Sequence, residues 1–217
     1  MYKSLPLIIF EQRFIFMKYL KKMLLLITCS LFLFVLYVEL GGRYILSTSD
    51  KRVITWYIRS SNRLPENFNT FYNTIYPNSL FQNSWSFLGN AIINPNSQKK
   101  ECPCNQMASN IFPGLEYQNK SSFDQFFIAR YIEHSYSQKD CLNFNFRNFD
   151  FLENRKGIEN VSKSLFNKDV KDLQPIEIAE ILALYENPVK NNRYRNSERA
   201  KNRAEHFYNL YSKNLKK

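Results

Sequence analysis

Between Lys22 and Glu39 lie sixteen consecutive uncharged residues, MLLLITCSLFLFVLYV from Met23 to Val38. Such a run has few homes in a folded chain. It is slightly short of the about 20 residues that cross a bilayer. Tyr19 and Leu20 extend it once Lys21 and Lys22 reach back to the interface. Tyr37 suits an interfacial position. Ahead of the run stand Lys3, Arg13, Lys18, Lys21 and Lys22 against one acid, Glu11. Behind it the charges are mixed: Glu39, Arg43, Asp50 and Lys51. The basic excess on the N-terminal side predicts a cytoplasmic tail and an exported remainder. A cleaved signal peptide is the main competitor, but no small-x-small site follows the run cleanly. A lipoprotein signal ending at Cys29 fits less well, because the apolar run continues past the cysteine. A buried core helix is the remaining alternative. Met17 opens MKYLKKMLLLI, which also reads as a natural start for such a segment.

At 217 residues the chain has room for one ordinary domain besides an anchor. The expected division is a tail over 1–22, an anchor over 23–40, a connector over 41–61 and a domain over 62–217. Only 5 glycines are present, which disfavours a turn-dense all-β fold and a glycine-rich phosphate loop. The net charge of +11 suggests an anionic partner: nucleic acid, anionic headgroups or pyrophosphate. A solvated basic surface explains the charge equally well. No nucleic-acid motif is present, and the predicted topology puts the domain outside the cell, so nucleic acid is not expected. Cys102-Pro103-Cys104 is not a zinc signature. No second pair follows, and His134 and His206 are badly spaced. No cofactor is expected. In an exported domain Cys141 can pair with Cys102 or Cys104, which leaves one thiol free.

From Gly41 to Ser61 the chain reads as a connector with extended character (RVITWYI). Between Asn62 and Gln98 periodicity is weak, and a helix is expected only over Trp85 to Ile93. The C-terminal half is clearer. Ser122 and Gln125 form a capping-box pattern ahead of Phe123, Phe126, Phe127, Tyr131 and Ile132 at helical spacing. Ser137 and Asp140 mark a second start, with a short helix through about Phe146. Ile158, Val161, Leu165 and Phe166 form a third stripe. Pro175 and Glu177 open a strong helix that stops at Asn187-Pro188. A last helix spans Ser197 to Lys213, with Ala200, Ala204, Phe207, Tyr208 and Tyr211 on its apolar face. The domain therefore reads as mainly α.

One stretch resembles a known family. NQMASNIF (105–112) is similar to the end of the G-x-S-T-I-T-Q-Q segment, and the A-K-N-L-F after it, of family-51 glycosyltransferases. These are the peptidoglycan polymerases found alone or in bifunctional penicillin-binding proteins. FFIARYIEHSYSQKDCL (126–142) resembles that family's helix pair leading into a Y-L-N segment. KGIENVSKSLFNKDVKDLQPIEIAEILALYENP (156–188) and YRNSERAKNRA (194–204) follow the family pattern without a gap. The resemblance implies a lysozyme-like, mainly helical glycosyltransferase domain behind one transmembrane helix. It implies a single-pass protein of the bacterial inner (plasma) membrane whose domain faces outward. The implied partners are the lipid-linked peptidoglycan precursor or other cell-wall enzymes. A divalent metal follows from the resemblance alone.

Glycosyl transfer of this kind needs a carboxylate base near the attacking hydroxyl and cations or donors near the departing pyrophosphate. The family supplies one glutamate in E-D-x-x-F-x-x-H-x-G and another in R-K-x-x-E. Neither is intact here. From Asn67 to Lys100 there is no Asp, Glu or His, and the first glutamate falls near Thr74 or Ile75 when aligned from Trp56. The second motif falls on Ser121 to Gln125, so Gln125 stands where the second glutamate is expected. An amide takes no proton at physiological pH. Glu66 and Asp124 are the weak candidates for a relocated carboxylate. Asn105, Gln106, Lys139 and Arg147 are the candidate substrate contacts. Gln125 has a plainer reading as a capping partner, Asp124 as an acid in a first helical turn, and Gln106 and Arg147 as surface residues. The resemblance thus implies a member that has lost its catalytic carboxylates, with an active polymerase using a relocated acid as the alternative.

Overall fold

The computed structural model describes residues 5–93, 102–116 and 121–215. Helix α1 runs unbroken over Leu5–Ile45. Its part Phe16–Ile45 is long and apolar enough to cross a bilayer. Side chains from Phe16 to Tyr37 are exposed, and burial begins at Val38. Its length, composition and exposure are those of a membrane-spanning helix. Its last turns do not stand free but dock on α6 (Ser122–Ser135). Two glycines let the helices touch. A Cβ on Gly41 would sit 3.3 Å from the Phe127 ring, and one on Gly42 would sit 2.2 Å from the Phe127 carbonyl oxygen. Gly42→Ala is therefore expected to destabilise the docked anchor by about 1–3 kcal/mol, because the obstacle is backbone. Gly89 is also helical, but a Cβ added there would meet nothing within 4 Å. Gly89→Ala, expected to be neutral or stabilising, is the control in thermal unfolding of the full chain in detergent. Equal midpoints for the two variants would refute the close approach.

Helix α2 (Thr48–Arg59) follows at once, opened by a reciprocal Ser47–Asp50 capping box. The segment expected to be an extended connector is thus helical. A strong cap and the burial of Ile54 and Ile58, four residues apart, outweigh the β-branched content. Helix α3 (Glu66–Ile75) lies where no helix is expected from the sequence. Its Phe68, Phe71, Tyr72 and Ile75 are buried at helical spacing among Asn and Thr that obscure the pattern. Helix α4 (Ser84–Ile93) lies where the sequence places it. Helix α5 (Pro103–Ile111) starts on a proline at its first position. Then come α6 and α7 (Gln138–Asn148), the latter capped by Ser137 with Asp140 as expected. Helices α8 (Ile158–Phe166), α9 (Pro175–Glu186) and α10 (Ser197–Leu215) match the three C-terminal stripes. Among the described residues there is no strand, only an isolated bridge between Asp150 and Lys156.

Helix α7 lies between two cores. Leu142 and Phe146 join α3, α8, α9 and α10 in one. Cys141 and Phe144 join α2, α5 and α6 in the other. A helix buried on both sides must satisfy its polar side chains internally. Asn143 accepts from the Leu64 N–H at 3.0 Å, and Asn145 donates to the Pro103 carbonyl at 2.8 Å. A disulfide between Cys104 and Cys141 joins α5 to α7, which resolves the open pairing and leaves Cys102 and Cys29 as free thiols. Gly157 has φ +88° at the entry to α8, a conformation that favours glycine.

Candidate functional site

The expected site residues lie on α3, α5, α6 and α7. On α5, Asn105 is buried and Gln106 is half-buried, where its side-chain oxygen accepts from the Tyr185 hydroxyl at 2.7 Å. Gln106 is therefore committed to α9. On α7, Lys139 is exposed and Arg147 is half-buried. Neither makes an ion pair with a described residue, so both charges stay available. On α6 the cap differs from expectation. Ser121, one residue earlier than Ser122, is the N-cap, and Asp124 is the third helical residue that completes the box. The Asp124 carboxylate accepts from the Ser121 N–H at 2.8 Å, and the residue is only 8% exposed. Gln125 plays no part in that cap. It is half-buried, with no side-chain hydrogen bond to a described residue. Glu66 opens α3 and is exposed, beside Asn67, whose amide bonds the Lys171 and Leu173 carbonyls. No hydrogen bond or ion pair joins Glu66 to Gln106 or Gln125. Thr74 and Ile75, near the first glutamate position, lie in the last turn of α3.

Sequence reasoning passes over the most organised polar group. Glu133 of α6 has a side chain 5% exposed. Its Oε1 accepts from the Ser84 N–H (2.8 Å) and hydroxyl (3.1 Å), the Gln138 amide (3.1 Å) and the Cys102 thiol (3.4 Å). Its Oε2 accepts from Arg130. Arg130 continues to Glu39 of α1 at 2.8 Å, which also takes the Trp85 indole N–H and meets His134. The cluster ties the anchor, α4, α5, α6 and α7 together. Glu133 is thus engaged by protein donors on Oε1 and by Arg130 on Oε2. Burial, with Glu133 beside it, pushes the Cys102 thiol up to about 12. It stays protonated and is no nucleophile at neutral pH. The only hint in the sequence is an acid, Glu39, immediately after an apolar run.

A cleft of about 470 Å³ opens between α2, α5 and the end of α7. Tyr57, Phe144 and Phe149 give it aromatic walls, and Asn110, Asn148 and Asp150 give it polar ones. Glu66, Gln106 and Gln125 do not line it. Among the described residues no group of three or more His, Cys, Asp or Glu side chains is arranged to hold a metal ion.

Residues 104–211 match the family model described as Transglycosylase. The chain carries a transglycosylase-family domain. Two similar relatives are both described as "Penicillin-binding protein 1A". The one from Neisseria cinerea is 30% identical over 104 residues, and the one from Neisseria lactamica is 31% identical over 104 residues. The match takes in 48% of this chain but spans only 13% of each relative's length. The transglycosylase domain is the mainly helical, lysozyme-like part of the chain, set behind one N-terminal apolar helix. The matched segment begins at the disulfide cysteine of α5 and ends in α10. It therefore includes Gln106, Asp124, Gln125, Lys139 and Arg147, while Glu66 falls before it.

Proposed function

We propose that this chain is a membrane-anchored, peptidoglycan glycosyltransferase-like protein of cell-wall biogenesis. It binds the lipid-linked precursor or partner cell-wall enzymes without polymerising glycan, and its domain faces the extracytoplasmic side. One observation carries the reading. By the family resemblance Gln125 stands where a glutamate is expected, and two acids of the same helix are held by protein donors: Asp124 in a helix cap, Glu133 in the buried cluster. Lys139 and Arg147 remain as cations free to meet a pyrophosphate. The outward orientation draws on the lysines before the span and on the Cys104–Cys141 disulfide, a bond that persists in oxidising compartments.

A divergent polymerase is the second reading, favoured by one observation: Asp150 is a carboxylate on the wall of the aromatic cleft. The two separate in one assay. The full chain, purified in detergent, is given lipid II. The expected product is at least about 10²-fold below that of a family member with both glutamates, as loss of a general base dictates. The precursor nonetheless co-elutes with the protein, and Lys139→Ala with Arg147→Ala weakens that retention. Polymer that disappears on Asp150→Asn, Glu66→Gln or Asp124→Asn would overturn the non-catalytic reading.

A further inference from the structure

Past the C-terminal end of α9 the chain turns and returns as α10, and a polar pocket of about 540 Å³ opens between the two. Asn187, Lys190 and Asn191 form one wall, and Arg199, Asn202 and His206 of α10 form the other. Glu186 and Arg203 complete the lining, so no apolar side chain contributes. The expected substrate contacts Gln106, Lys139 and Arg147 do not line it, and neither does Gln125. Its charges are uneven. Arg203 holds both oxygens of Glu186, at 2.6 Å through Nε and 2.5 Å through Nη2, so the carboxylate of the pocket is already neutralised. Lys190 and Arg199 are exposed and make no ion pair with a described residue. Their two positive charges face the pocket unanswered.

The amides make a second demand on an occupant. Asn191 is buried, and its side-chain nitrogen donates to the Ala183 carbonyl at 2.8 Å. That bond fixes the amide and leaves its oxygen as an acceptor. Asn187 is the reverse. Its side-chain oxygen accepts from the Lys190 N–H at 2.9 Å, which leaves its nitrogen as a donor. An acceptor and a donor in one wall match the N–H and C=O of a peptide backbone. A compact dianion such as phosphate fits less well, because the last carbonyls of α9 and the negative end of its dipole lie at this end. We infer that this pocket takes a short acidic peptide segment of a partner protein, with its carboxylates on Lys190 and Arg199 and its backbone on Asn187 and Asn191. Charge complementarity selects that partner. The inference holds whether or not the domain polymerises glycan, because the pocket lies apart from the expected substrate contacts.

Fluorescence anisotropy reads the binding. The probe is a peptide of alternating glutamate and glycine carrying a neutral dye. It is titrated with the full chain in detergent at about 50 mM salt, where screening is weak. Saturable binding is expected, and none with the matching lysine–glycine peptide. Lys190→Gln with Arg199→Gln removes two exposed charges and spares the core. It is expected to weaken binding about tenfold, as charge loss at a complementary interface does. Asn202→Asp, which sets a carboxylate in the exposed part of the wall, is expected to weaken it too. Arg52→Gln with Arg59→Gln removes the same charge from exposed positions on α2 and is expected to leave binding unchanged. Equal losses in the two double variants would show attraction to net charge alone and overturn the inference. So would the absence of saturable binding. Displacement of the peptide by inorganic phosphate, beyond that caused by chloride at equal ionic strength, would make this an oxyanion site and overturn the peptide reading.

Discussion

Glu133→Ala is expected to lower stability by about 3–5 kcal/mol, the range for breaking a buried, hydrogen-bonded charge pair. Alanine would leave the start of α4, the Cys102 thiol and the Gln138 amide without their shared acceptor. Arg130, with a side chain 10% exposed, would keep only Glu39. In a chain of this size each kcal/mol moves the midpoint by about 2–4 °C, so a drop of roughly 10 °C is expected in thermal unfolding. Arg130→Met alone should also be costly, because it removes the guanidinium that Glu133 and Glu39 share. The double variant should be less destabilised than the two single losses added, and the shortfall measures the pair. A Glu133→Ala midpoint within about 0.5 kcal/mol of the parent would mean that the cluster does not hold the helices together.

Loss of the Cys104–Cys141 disulfide ranks second, at about 2–4 kcal/mol. It closes a separation of 37 residues and joins α5 to α7, the helix shared by both cores. Both cysteines are 0% exposed, so the reduced pair would remain packed and the domain is expected to stay folded at a lower midpoint. Cys141→Ser should reproduce the effect of reductant, and reductant should then add nothing. Connectivity has its own readout. Unfolded without reductant, the chain should alkylate at Cys29 and Cys102 only. Alkylation at Cys104 would show a different pairing.

What can be read in advance follows the strength of local signals. Helices α7, α8 and α9 announce themselves through Ser137 with Asp140, a single apolar stripe, and Pro175 with Glu177. Helix α3 does not, because Asn67, Asn69, Thr70, Asn73 and Thr74 separate its aromatics and lower its propensity, leaving tertiary burial to decide. The α6 cap slips by one residue because adjacent serines offer the same chemistry. Only the position of Asp124 relative to each settles which is used. The site is legible as a set of substitutions, Gln125 above all, but not as a place. Gln106 turns toward Tyr185, and Glu133 gathers donors from three other segments of the chain. Such convergence has no trace in spacing along the chain.

The junction between anchor and domain carries a last consequence. Only Leu46 and Ser47 separate α1 from α2, and Gly41 and Gly42 press α1 against α6. A flexible linker of about 20 residues would let a domain wander some 25 Å. This domain has no such leash. It spans about 40 Å, from the size expected of some 170 compact residues, and is held against α1 by the α6 contact. With α1 spanning a bilayer as proposed, a partner embedded in that bilayer would meet the domain by a search confined to a plane. On the same proposal a partner from solution would have to come down to the membrane to reach it.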